Sequence, residues 1–284
     1  GRVISVPPAD PPVDRGLDPV DRGRLDPDDR GLDPDGYIRR EGSLDRVAPG
    51  FTPVVTELRR RIGIAYPHAS LYLYGSVPRG TALPGRSDLD AMVVLPSEPT
   101  EEQRATLDAI EADLDAAYPQ VDGVGILLFS RDRLLCDAER YDLGFMTACL
   151  CTPVVGEDLA AVLPRYRPTV RLARDTNGDI ATALQRTRAR LVAGAPRTRV
   201  CRTLARKLVR TGFTLVMPRW LGWTSDMELT HRVVTDHYPG WSMPLRRAVT
   251  LARTPDGDAV DSLLEFGDDI AREYAAQIGL KPAG

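Results

Sequence analysis

Between residues 51 and 130, short apolar runs alternate with longer amphipathic ones, and that alternation leaves few folds open. SLYLYG (70–75), DLDAMVVL (88–95) and GVGILLF (123–129) are apolar over strand-like lengths and bounded by glycine or polar loops. TPVVTELRRRIGIAYP spaces Val54, Val55, Leu58 and Ile62 three and four residues apart, which is one face of a helix. EPTEEQRATLDAIEADLDAAYP puts Leu107, Ile110 and Leu114 on one face behind Thr100, an N-cap candidate followed by acids. The order helix, strand, loop, strand, helix, strand predicts a small α/β unit whose sheet is covered on one side.

After Leu150 the strand signals fade. PVVGEDLAAVLPRY, NGDIATALQRTRARLVAGA, RTRVCRTLARKLVRTGFTLVMPRW, SDMELTHRVVTDHYP, PLRRAVTLAR and DAVDSLLEFGDDIAREYAAQ all read as helices separated by Gly, Pro or Asn. The fold class expected is α+β: a small mixed-sheet domain over residues 36–155, then an all-helical domain over 156–284. Residues 1–35 carry three near-copies of a short unit, DRGLDPV, DRGRLDPD and DRGLDPD. They are too short for a solenoid repeat and too poor in apolar residues to pack, so a disordered acidic tail is expected.

Bulk properties exclude more than they assign. A net charge of −3 means that attraction to an anionic partner must come from local clustering. No apolar run approaches a membrane span, and GRVISVPPADPPVDRG lacks the pattern of a signal peptide. Cys136, Cys149, Cys151 and Cys201 form neither a disulfide framework nor a zinc pattern, which points to a reduced, cytoplasmic setting. His68, His231 and His237 are scattered and read as structural.

The chemistry concentrates in YGSVPRGTALPGRSDLD, residues 74–90. Gly75 and Ser76 end one strand with exposed N–H groups and a hydroxyl, a geometry that suits a phosphate. Asp88 and Asp90, two apart on the next strand, point to the same face. Paired carboxylates repel unless a cation sits between them, and hard oxygen ligands select Mg²⁺ or Mn²⁺. A phosphate cradle beside such a pair indicates nucleotide phosphate chemistry.

The Gly-Ser pair, an eleven-residue spacer over 77–87 and the Asp-x-Asp resemble the signature of the nucleotidyltransferase superfamily, which includes DNA polymerase β and the aminoglycoside nucleotidyltransferases. The resemblance implies that Gly75 and Ser76 hold the triphosphate, that Asp88 and Asp90 bind metal, and that ATP with Mg²⁺ is the cosubstrate. It also implies a third carboxylate from the next strand as ligand or base. Asp122 is the candidate, sharing a strand face with Val124 and Ile126; Glu157 and Asp158 are alternatives from the helical part. Arg79, Arg86 and Ser87 in the motif loop are further nucleotide-binding candidates. The helical half is similar to the streptomycin-type enzymes in layout only.

Fourteen basic residues lie between Arg165 and Arg219, opposed only by Asp175 and Asp179. Arg202, Arg206 and Arg210 fall on one helical stripe with Lys207 beside it, placed to complete a triphosphate site or to grip RNA. Trp220, Trp223 and Trp241 read as packing residues. The function expected is metal-dependent transfer of a nucleoside monophosphate, AMP from ATP, to an acceptor hydroxyl. The acceptor is open: a small molecule such as an aminoglycoside, a protein (as in a toxin–antitoxin pair) or tRNA, with no membrane and no stable partner implied. The rival is a nucleotide-binding module without turnover.

Overall fold

The computed structural model describes residues 29–282. Helix α1 (Thr52–Ala65) leads into β1 (Ser70–Tyr74), and the chain turns at Gly75 into the single-turn α2 (Ser76–Arg79). After the motif loop come β2 (Leu89–Leu95), α3 (Glu101–Ala117) and β3 (Val124–Ser130). α3 starts from the capping box foreseen at Thr100: its hydroxyl accepts from the Gln103 N–H, and the Gln103 side chain accepts from the Thr100 N–H. Two short helices follow, α4 (Arg131–Leu135) and α5 (Leu143–Phe145), the second running into a π turn, Met146–Leu150. Strand β4 (Thr152–Val155) completes the sheet.

The sheet is mixed, in the order β3-β2-β1-β4. β2 and β3 are parallel; β1 is antiparallel to both β2 and β4. One face, built from Leu71, Leu73, Leu89, Ala91, Val93, Ile126 and Leu128, buries against the apolar stripes of α1 and α3. The other face is not bare, as one-sided covering had implied. Tyr72, Met92 and Val94 pack under Leu134, Cys151 and Leu159. That second cover stops short of the Asp88 end of β2, and the site lies there.

β4 corrects the sequence reading, which runs PVVGEDLAAVLPRY as a helix. Pro153 has no N–H to donate, yet it sits on an edge strand, where that is tolerated. Gly156 at φ +87 ends the strand, and Leu159–Val162 forms only a 3₁₀ turn.

The rest is helical: α6 (Val170–Asn177), α7 (Ile180–Val192), α8 (Arg197–Trp220), α9 (Met227–His237), α10 (Ser242–Arg253) and α11 (Val260–Gln277). α8 is the axis, packed against the other five. It buries Val200, Leu204, Leu208, Phe213 and Leu215 in the helical core and leaves its arginine stripe on the side of the sheet. Trp223 stacks edge-on against Phe145 and Phe213, and Trp241 lies flat on Tyr238, so these rings are packing groups. No helix among the described residues is long and apolar enough to cross a membrane.

Residues 1–28 of the expected tail lie outside the described residues, but residues 29–35 are part of the fold. With the segment up to Ser43 they form a strap. The Trp223 N–H donates to the Arg30 carbonyl (2.8 Å), and Arg165 pairs with Asp33 (2.6 Å). The Ile38 N–H donates to the Tyr166 carbonyl, Arg40 pairs with Asp158 (2.6 Å), and the Ser43 N–H donates to the Pro78 carbonyl (2.9 Å). Polar, charged sequence hid this because the strap is held by backbone and charge, with Leu32 and Ile38 as its apolar anchors among the described residues.

Candidate active site

Asp90 is the centre of the site. The register places it beside Tyr74 of β1 and Gly125 of β3. A Cβ on Gly75 would meet Asp90 Oδ2 at 2.9 Å, and one on Gly125 would meet Oδ1 at 3.7 Å. The carboxylate is thus flanked by glycine on both sides. Gly75 is required twice over: for that approach and for its φ of +80 at the turn into α2. Asp88 lies one residue before β2, near enough for its charge to act on Asp90. Burial, then the charge of Asp88, pushes the Asp90 carboxyl up to about 7, against the pull of Arg206, Arg79 and Arg210. Burial raises the Tyr74 hydroxyl as well, with Asp90 adding to it.

The opposite wall is α8. Arg206 donates to Asp88 Oδ2 at 2.8 Å, and Arg202, one turn earlier, places both terminal nitrogens 3.3 Å from Asp122 Oδ2. Arg210, one turn later, lies within electrostatic reach of Tyr74 and Asp90, and its guanidinium makes no hydrogen bond or ion pair to a described residue. The three-fold stripe read from the sequence is therefore real, and it faces the sheet's carboxylates across a cleft.

Asp122 requires correction. β3 begins at Val124, so Asp122 does not share a strand face with Val124 and Ile126. Gly123 at φ +104 turns the chain just before the strand, and the Asp122 N–H donates to the Ser87 carbonyl. Its carboxylate goes to Arg202. The alternatives are engaged elsewhere: Glu157 pairs with Arg131 (3.1 Å), and Asp158 with Arg40. Among the described residues no cluster of three or more His, Cys, Asp or Glu side chains could hold a metal.

The remaining candidates divide. Ser76 opens α2 beside Gly75, and Arg79 closes it, 3.8 Å from Glu41 of the strap. Ser87 uses its hydroxyl to accept from the Leu83 N–H, which fixes the loop turn, and Arg86 stands exposed on that turn. Lys207 points into the helical half, to Asp179 (2.6 Å) and Asn177 (3.2 Å); burial lowers its ammonium against the pull of Asp179. Sequence reasoning missed Glu41, Tyr74, Asp179 and Gly125. Of these only Gly125 left a signal, in the doubled glycine of GVG.

Comparison with known proteins agrees with this geometry. Residues 54–140 match the model of the nucleotidyltransferase domain family. No curated protein matches the chain. Among solved structures, the crystal structure of spectinomycin adenyltransferase AAD(9) from Enterococcus faecialis with ATP and spectinomycin is similar in fold. The TM-score is 0.54 at 14% identity, covering 78% of this chain and 98% of that one. The match lies on α1, the motif strands and β3: residues 54–140 are similar to a nucleotidyltransferase domain, and the likeness in fold to the adenyltransferase structure extends over the helical half.

Proposed function

We propose that the chain transfers AMP from ATP to an acceptor oxygen in the cleft between β2 and α8, with Mg²⁺ or Mn²⁺ held by Asp88 and Asp90. The observation that carries this reading is the pair of aspartates at the head of β2, close enough to act on each other's charge, with Gly75 against Asp90 and the N-terminus of α2 beside it. The residues fit such a cation: burial, and then the charge of the neighbouring Asp88, pushes the Asp90 carboxyl up to about 7, and a cation between the two carboxylates would relieve both. Two protein carboxylates suffice for Mg²⁺, which keeps waters and shares substrate phosphates. A cation there supplies neutralisation of phosphate charge. The chain does the rest. The N–H groups and hydroxyl at Gly75–Ser76 hold the triphosphate, and Arg79 and Arg206 supply charge around it. The acceptor oxygen attacks the α-phosphorus, and pyrophosphate leaves.

ATP is the first nucleotide to test because ATP is named in the fold relative's structure, and the spectinomycin named there favours a small-molecule acceptor. The four unpaired cysteines support a cytoplasmic setting. The test is calorimetry and pyrophosphate release with ATP and Mg²⁺, wild type against Asp88→Asn. One observation favours a second reading, a nucleotide-binding module without turnover: Arg206 already rests on Asp88. Mg²⁺-dependent binding with no pyrophosphate from any acceptor would select it.

A further inference from the structure

Among the described residues, the cleft offers no free base to a hydroxyl acceptor. An alcohol attacking phosphorus must lose a proton, and a positioned base contributes to that transfer. The place for such a base follows from the geometry. Attacking and leaving oxygens lie roughly in line through the α-phosphorus. Asp90 sits between Gly75 and Gly125. With the triphosphate on the Gly75 side, pyrophosphate leaves on that side and the attacker arrives over β3. Gly125 shares the face of Asp90 there and offers no side chain, and Gly123 precedes it. The next residue on that face, Leu127, is apolar. The other carboxylates around the cleft are engaged: Asp122 by Arg202, Asp179 by Lys207, Glu41 by the Ser225 hydroxyl (2.8 Å) and Arg79. The wall above is cationic, with Arg206 and the unengaged Arg210.

We infer that the acceptor is an oxyanion, a phosphate monoester or a carboxylate, whose own charged oxygen attacks the α-phosphorus without a protein base. The inference rests on the transfer reading above. A bond forms between the acceptor oxygen and the α-phosphorus. The bond from that phosphorus to the oxygen bridging to the β-phosphorus breaks, and its electron pair leaves with pyrophosphate. No proton is removed from the acceptor, and the product is a phosphoanhydride or an acyl adenylate. Arginine forks match either anion, and Gly125, which has no side chain, leaves room beside Asp90 for its bulk.

The test uses full-length protein, α-labelled ATP and Mg²⁺. The probes are glycerol 3-phosphate, glucose 1-phosphate, the anion-exchange-retained fraction of a deproteinised cell extract, a mixture of amino and hydroxy acids, and spectinomycin with streptomycin as hydroxyl acceptors. Phosphorus NMR identifies a phosphoanhydride, and hydroxylamine traps an acyl adenylate. Binding of the anionic probes is measured separately, with α,β-methylene-ATP in place of ATP. Label on a phosphate or carboxylate, and anion binding weakened about tenfold in Arg210→Gln, support the inference. Gly125→Glu provides the second arm, since a Cβ there makes only an ordinary contact, 3.7 Å from Asp90 Oδ1. Transfer to the oxyanion should fall at least about tenfold through repulsion, whereas a hydroxyl acceptor waiting for a base would gain. Transfer to spectinomycin or streptomycin alone, or a gain in Gly125→Glu, overturns the inference and leaves the transfer reading intact. Binding of ATP without label on any oxyanion also overturns it. Failure of ATP and Mg²⁺ to bind at all removes the transfer reading, and the inference with it.

Discussion

Arg206 and Asp88, 118 residues apart in the chain, meet at 2.8 Å across the cleft. The pair joins the helical half to the carboxylates at the head of β2. It also puts a guanidinium where a divalent cation and a triphosphate would compete for the two partners. Nucleotide and metal binding should therefore hand Asp88 to the cation and Arg206 to a phosphate. Arg206→Gln should raise the KM for ATP about tenfold, the size expected for losing one charged hydrogen bond. A KM that does not move would place Arg206 outside the nucleotide site.

Asp88→Asn and Asp90→Asn should each lower transfer by about 10² or more while leaving the far-UV circular dichroism unchanged, because electrostatic preorganisation at the reacting phosphate is lost. Pyrophosphate release is the readout. Activity within a few-fold of wild type in either variant would end the assignment of these residues as metal ligands.

The folded protein binds the Asp90 proton more tightly than the unfolded chain does, with a carboxyl at about 7 against an ordinary 3.8. This contribution to stability is complete below pH 3.8 and is lost as the pH rises through about 7. With chelator present, the wild type should melt at a lower temperature at about pH 8 than at about pH 6, and Asp90→Asn should show less of this decline. Mg²⁺ added at the higher pH should raise the wild-type Tm more than that of the variant. Parallel melting curves for the two proteins across this range would show that Asp90 ionises normally.

Asp122→Asn should change the rate by no more than about threefold, because its carboxylate meets Arg202 rather than the site; loss of a general base would cost about 10²–10⁴. Single-turnover kinetics at saturating ATP decide between these sizes.

Gly75→Ala combines a positive φ with a 2.9 Å collision against Asp90 Oδ2. Strain of this kind costs roughly 1–3 kcal/mol, so a lower Tm and a larger loss of transfer are expected together. An unaltered melting curve would mean that the turn at Gly75 adjusts freely.

What the sequence made legible has local causes. α1 and α3 could be read because each buries one stripe, and Asp88 and Asp90 because a spacing of two keeps them close whatever surrounds them. The arginine stripe on α8 was legible for the same kind of reason. β4 was not: four residues with a proline carry no period, and only pairing with β1 makes them a strand. Asp122 misled because a carboxylate at the head of an apolar run looks the same on a strand or a turn until Gly123 and Arg202 decide it. Glu41 and Asp179 come near the site only through tertiary proximity, to Arg79 and to Arg210, that leaves no spacing to read.

The strap has a bearing on how this chain can be cut and recombined. Its hydrogen bonds and ion pairs run from Trp223 and Arg165 in the helical half to Pro78 of α2. A fragment trimmed to residues 54–140 would lose both anchors of the turn it is meant to display. Grafting either half onto a counterpart from another protein would succeed only if residues 29–43 travelled with it. The unit of inheritance here is the pair of halves with their binding thread, and swaps that respect it are the ones to build.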